Sequence, residues 1–258
     1  MTGSFSAKDV GQALRFRGSP VKARKLSRFF KSAPGEYGEG DRFLGVTVPE
    51  QRCLSRQFSS LSLGEVDRLL RSPWHEERLT GLLILINQHE RASRVLQKRI
   101  FRFFLDHRKF VNNWDLVDLS ASILLGPHVD PRKPDLLKRW AGSPVVWERR
   151  MAVVATFHFI KEGDPCPTLV VAKRLLGDSH DLIHKAVGWM LREVGKRCSL
   201  RVERAFLDQH AAHMPRTMLR YAIERFPASL RAHYMKKGIP SSSASSRRVW
   251  GRPVHRPR

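Results

Sequence analysis

Residues 72–86 read SPWHEERLTGLLILI and residues 143–157 read SPVVWERRMAVVATF. Ser-Pro opens both stretches, Glu-Arg follows at the same offset, and an apolar run closes both. Proline suits the first turn of a helix, where its missing N–H is no loss. The apolar residues behind it recur at i, i+3, i+4 and i+7, the spacing of one helical face. The two stretches therefore predict two equivalent helices. Long helices beginning near 144, 180 and 214 extend the series at steps of about 35 residues.

The same period runs through most of the chain, and strand-like alternation is scarce. Helices are predicted over 20–32, 49–58, 63–70, 75–89, 91–106, 113–124, 133–141, 144–161, 167–176, 180–196, 200–210, 214–225 and 227–236. The breakers GPHVDPRKP, EGDPCP and GDSHD punctuate them. A repeat of this length suits helix pairs stacked side by side. The expected fold is all-α, a right-handed solenoid of HEAT-like antiparallel helix pairs with a concave basic groove for an extended polymer. Three parts are expected: an N-terminal extension over 1–18, the helical repeat domain over 19–238, and a basic tail over 239–258. The tail's PSSSASSRRVWGRPVHRPR is rich in Ser, Pro and Arg, which predicts disorder and a non-specific hold on phosphates.

Of 258 residues, 41% are apolar, enough for a substantial core. The formal charge is +23, and only five of the arginines lie in the tail, leaving +18 on the rest. Such an excess points to a polyanionic partner: DNA, RNA or an anionic membrane surface. Cys53, Cys166 and Cys198 are far apart and join no Cys/His cluster, so neither a metal site nor a disulfide framework is predicted. A reducing cytoplasm is the simplest setting, and no cofactor is expected. MTGSFSAKDVGQALRFRG, residues 1–18, lacks the apolar centre of a signal peptide. No apolar stretch reaches the length that spans a bilayer.

Three helices carry unusual faces. In NNWDLVDLSASILLG (112–126), Trp114, Asp118 and Ala121 fall opposite the stripe of Leu116, Val117, Leu119, Ile123 and Leu124. On this helix alone, a surface Asp beside a Trp packed on the next repeat explains the pattern as well as a binding site does. Arg149 and Arg150 mark where the apolar helix from 151 to 160 emerges. Either one of them faces the groove, or both are ordinary solvated cations. In DLIHKAVGWMLREVGK (181–196), Ile183, Ala186, Val187, Met190, Leu191 and Val194 form the core stripe. Lys185, Trp189, Arg192 and Lys196 make a basic ridge with an indole at its middle, suited to phosphates and sugar. The alternative is a Trp capped by the next helix. Gly188 leaves room for close approach of something else. His184 is read as structural, and Tyr37, Phe43 and Trp74 as core.

FLGVTVPEQR (43–52), NNWDLVD (112–118), VVWERRMAVVATFHFI (145–160) and DLIHKAVGWMLREVGKR (181–197) together resemble the AlkD-type DNA glycosylases of the HEAT-like DNA alkylation repair family, over roughly residues 20–235. The resemblance implies excision of cationic N3- and N7-alkylated purines from double-stranded DNA by a monomer with no obligate protein partner. It implies a catalytic set of Asp118, Trp114, Trp189 and Arg150, with Arg149, Lys185, Arg192 and Lys196 on phosphates. Asn113 stands where the best-known pattern has another Trp. The resemblance also implies that the lesion stays stacked while the enzyme works from the backbone side, and a groove without a deep pocket would agree. Such an enzyme would be cytoplasmic and associated with the nucleoid. The competing reading is a non-catalytic HEAT-like scaffold on duplex or structured nucleic acid, which explains the charge and the helices equally well. A protein-binding solenoid would need an acidic partner.

Overall fold

The computed structural model describes residues 5–237, so the basic tail lies outside the described residues. The helices are α1 (Ala7–Phe16), α2 (Pro20–Phe29), α3 (Val48–Gln57), α4 (Leu63–Leu70), α5 (His75–Arg91), α6 (Arg94–His107), α7 (Trp114–Leu124), α8 (Asp135–Ala141), α9 (Val146–Ala155), α10 (Phe157–Lys161), α11 (Cys166–Arg174), α12 (Asp181–Arg197), α13 (Leu200–His210), α14 (Arg216–Ala222) and α15 (Ala228–Lys237). Among the described residues, β structure is limited to one isolated bridge between Arg42 and Trp74. None of the described helices is long and apolar enough to cross a membrane.

Helices α3, α5, α7, α9, α12 and α14 touch in succession, forming one continuous layer. A second set, including α4, α8, α11, α13 and α15, lies against it and completes the helix pairs. The core runs along this seam. The stripe expected on α12 (Ile183, Ala186, Val187, Met190, Leu191, Val194) is wholly buried, as is most of Met151–Ile160.

The internal echo in the sequence is a repeated set of hydrogen bonds. Backbone N–H groups of Trp74, Val145 and His180 donate to the side chains of Ser72, Ser143 and Asp178, at 3.0, 3.1 and 2.8 Å. Six residues beyond each acceptor, Arg78, Arg149 and His184 donate back to the carbonyls of Ser72, Ser143 and Asp178, at 2.9, 2.9 and 2.5 Å. Each staple satisfies groups that a helix start leaves without partners. His184 is thus held structurally, as its sequence context suggests.

Two boundaries differ from expectation. The segment taken as an N-terminal extension contains α1, whose Val10 and Leu14 are fully buried against α3, α4 and α5. Ser6 and Asp9 close a capping box at its start. The single helix expected over 144–161 breaks at Thr156, whose Oγ1 donates to the Val153 carbonyl at 2.6 Å and whose N–H bonds that same carbonyl. An i−3 bond tightens the turn and redirects the axis.

Gly188 permits a close approach, but the neighbour is α14. A β-carbon at residue 188 would stand 2.3 Å from the Met218 carbonyl oxygen and 2.5 Å from Tyr221 Cβ. Gly188→Ala should therefore push α14 outward and cost about 1–3 kcal/mol, as overpacking does. Denaturant unfolding of the variant measures this; a midpoint equal to that of the parent protein would contradict the contact.

Candidate functional site

Asn113 caps α7, its side chain accepting the Trp114 N–H at 2.8 Å and donating to Asp41 at 3.3 Å. The residue that departs from the family pattern is thus a buried structural cap. From this start, Trp114 and Asp118 project one turn apart on the same side. Facing them on α9 is Arg150, whose Nε and Nη2 donate to the two Asp118 oxygens at 2.9 and 2.8 Å. Arg150 Nη1 donates to the Leu182 carbonyl at the start of α12, at 2.5 Å. Burial pushes the Asp118 carboxyl above the usual carboxylate range, and the guanidinium beside it pulls the other way. The Asp118 side chain remains 19% exposed, while Arg150 is buried. Arg150 therefore holds the carboxylate and is not displayed to phosphates.

Asp118 stands where three cavities meet. One, of about 560 Å³, is lined by Trp114, Asp118, Arg150, Lys185, Trp189 and Arg192, together with Tyr37 and Lys31. Six of the eight residues singled out in the sequence converge there, although they come from three separate helices. A second cavity, of about 310 Å³, joins Asp118 and Trp189 to the cations Arg52, Arg56 and Lys161. A third, of about 670 Å³, is almost wholly apolar and lies between α2, the start of α3, and α7. The shallow groove expected is interrupted at this point.

The indoles are braced differently. Trp114 stacks on Phe30 with centroids 5.1 Å apart and takes the edge of Phe29 at 5.7 Å. Trp189 leans on Phe157 at 6.1 Å. Around them the cations are partly tethered: Lys185 pairs with Asp181 at 2.7 Å, and Arg192 with Glu224.

Two residues do not join the cavities. Arg149 turns away to pair with Asp178 at 2.6 Å and donates to the Ser143 and Pro144 carbonyls. Lys196 is exposed further along α12. The face of α7 also differs from the wheel. Ala121, expected beside Asp118, is fully buried, whereas Leu119 and Ile123, expected in the core stripe, line a cavity with Asp118. Because α5 and α9 clasp α7 from both sides, only a narrow sector stays open.

Behind the site lies a buried charged network. His75 at the start of α5 meets Asp41 through Nδ1 at 3.0 Å and Asp115 through Nε2 at 2.8 Å. Arg78 donates to Asp41 at 2.6 Å. The imidazole packs beside the stacked pair Phe30 and Phe43, with each ring's centroid 4.9 Å away and the two rings 5.4 Å from each other. The network ties the loop at 41, α5 and the first turn of α7 together directly behind Trp114. Among the described residues, no group of three or more His, Cys, Asp or Glu side chains is placed to hold a metal ion.

Residues that the sequence reading passed over are Phe29 and Lys31 at the end of α2 and the cations Arg52, Arg56 and Lys161; Tyr37, read there as core, lines the cavity instead. The stretch KARKLSRFFK (22–31) carried the signal, since it alternates cations with paired Phe residues.

Residues 10–226 match the model of a family described as DNA alkylation repair enzyme. Among solved structures, a predicted DNA alkylation repair enzyme from Enterococcus faecalis is similar, with a TM-score of 0.65 and 16% identity. The match covers 82% of this chain and 98% of that one, a likeness that speaks for the fold. A search of curated proteins finds no significant match.

Proposed function

The chain belongs to the family of DNA alkylation repair enzymes, and from that premise we propose that it is a glycosylase hydrolysing the N-glycosidic bond of cationic N3- and N7-alkylated purines in duplex DNA. The observation that carries this reading is a carboxylate, Asp118, fixed by a bidentate arginine and opening onto cavities lined by two indoles and by cations.

An alkyl group on N3 or N7 makes the purine cationic. When the bond from C1′ to the base breaks, its electron pair neutralises the departing purine and positive charge develops on the deoxyribose. A carboxylate held in place stabilises that charge and orients the water that adds at C1′, the water's proton passing to solvent as the abasic sugar forms. No general acid is required, so one Asp suffices. The two oxygens paired to Arg150 keep outward lone pairs for sugar or water. Trp114 and Trp189 offer faces to the sugar and to the growing charge, and Lys31, Lys185 and Arg192 receive phosphates. In this reading the protein acts as a monomer on nucleoid DNA, without cofactor, metal or obligate partner. The resemblance further implies a lesion left in the stack; under that arrangement the apolar cavity has no role.

Incubating the protein with a duplex containing 7-methylguanine and measuring free base and abasic sites tests the proposal. Tight binding without release would instead favour a non-catalytic scaffold, which the charge alone would also support. Lys196→Ala is expected to weaken binding to all sequences alike and to reduce the salt slope by about one ion. A sequence-selective loss, seen in salt titrations on two unrelated duplexes, would contradict that role.

A further inference from the structure

We propose that the loop following α2, residues 31–42, is a preformed phosphate clamp in which Lys31 and the Tyr37 hydroxyl together hold one phosphate beside the damaged nucleotide. The inference deepens the glycosylase reading and rests on it for the identity of that nucleotide.

The loop is locked by its own backbone. The Gly38 N–H returns to the Lys31 carbonyl at 3.0 Å, and the Asp41 N–H bonds the Gly38 carbonyl at 3.1 Å. A β-carbon at residue 38 would stand 2.3 Å from the Phe30 carbonyl oxygen, so the loop presses directly on the end of α2. Its far end is anchored through Asp41, which His75, Arg78 and Asn113 hold in the buried network. Glu36 and Glu39 accept from the Ala33 and Gly35 N–H groups at 3.1 and 2.9 Å, so both acids are turned onto the loop itself. Residues 33–36 and 39–40 are exposed, whereas Tyr37 is half-buried and lines the cationic cavity.

Tyr37 is braced where it stands. Its ring meets Trp147 edge to face at 6.0 Å, and its hydroxyl takes the Trp114 indole N–H. A hydroxyl that accepts there keeps its own hydrogen to donate, and its open side is the cavity. The Lys31 ammonium lies over the same ring, 5.8 Å from the centroid, so ammonium and hydroxyl reach one region. The Lys31 backbone points the same way. Among the described residues it alone, glycine aside, has a positive φ, at 52°. It follows the end of α2, where the Ser32 N–H reaches back to the Ser27 carbonyl at 3.1 Å. Helices usually place glycine at this position. Lysine there carries a strain that glycine would avoid, and such strain collects at functional sites. With Lys185 and Arg192, the pair gives the cavity a set of donors. Donors in convergence fit a group that only accepts, and in DNA that group is the phosphate.

The test measures binding of the full chain to a duplex holding 2′-fluorinated 7-methyldeoxyguanosine, which resists cleavage. Tyr37→Phe and Lys31→Gly should each lower the affinity about tenfold. Lys31→Gly should melt no lower than the parent protein, because glycine relieves the turn. A neutral methylphosphonate then replaces the phosphate on the 5′ or the 3′ side of the lesion. At one of these two positions the loss caused by either variant should shrink to about twofold or less. Losses undiminished at both positions would overturn the proposal, as would variants that bind like the parent. A lowered melting temperature for Lys31→Gly with unchanged affinity would overturn it too, by making Lys31 a structural residue. Coupling to one phosphate in a parent protein that releases no 7-methylguanine would defeat the glycosylase reading and leave the clamp standing. Release without coupling would do the reverse.

Discussion

Asp118→Asn should lower 7-methylguanine release by about two to three orders of magnitude, the range for losing one pre-positioned electrostatic group, while duplex affinity falls little. Asparagine keeps the shape but removes the charge that faces the sugar. Removing an anion from a cationic surface does not weaken the hold on phosphates. The substitution also strands Arg150, which is buried and otherwise bonded to the Leu182 carbonyl. Breaking a buried pair costs about 3–5 kcal/mol, so the variant should also melt earlier, and turnover must be compared below both melting temperatures. Equal losses of affinity and release would sink the electrostatic role. Undiminished release with a lowered melting temperature would make Asp118 purely a structural partner of Arg150.

The second large effect concerns His75. Burial works against a charged ring, but hydrogen bonds to Asp115 and Asp41 overcome it and raise the imidazole pKa to about 9. Both ring nitrogens face carboxylates, so both must donate and the ring is an imidazolium. A folded pKa above the unfolded 6.5 gives stability that is complete below pH 6.5 and is lost as pH rises through about 9. The shift corresponds to about 3 kcal/mol. Between pH 7 and pH 10 the parent protein should therefore lose melting temperature more steeply than His75→Gln, which should already melt lower at pH 7. Parallel curves for the two proteins would refute the assignment, since other groups that titrate in this window are common to both.

Much of this site was legible because helical geometry is local. Trp114 and Asp118 are one turn apart whatever surrounds them, and Lys185, Trp189 and Arg192 share a face of α12 for the same reason. Adjacent residues fare worse. Arg149 and Arg150 point about 100° apart, as helix geometry dictates, but nothing local says which meets Asp118, 32 positions away. The phosphate contact expected of Arg149 gives way to its pair with Asp178, while Arg150 takes the carboxylate. Gly188 illustrates another limit: a missing side chain advertises room without naming the occupant. The first helix had a readable Ser6–Asp9 cap, but its buried face amounts to little beyond Val10 and Leu14. The hollow beneath α2 leaves no pattern at all, because it arises from side chains that fail to meet.

Many long-range side-chain hydrogen bonds join residues at a similar separation: 32 for Glu76 with the Leu44 N–H, 34 for His75 with Asp41, 32 for Asp118 with Arg150 and 32 for Arg192 with Glu224, while His75 reaches Asp115 across 40 and Asn113 reaches Asp41 across 72. A chain wired in this way can settle during its own synthesis. Each newly translated helix finds its docking surface already complete, and little waits for the carboxyl end. Asp118 would acquire its guanidinium partner shortly after α9 leaves the ribosome, and the candidate carboxylate would be set before α12 delivers the second indole.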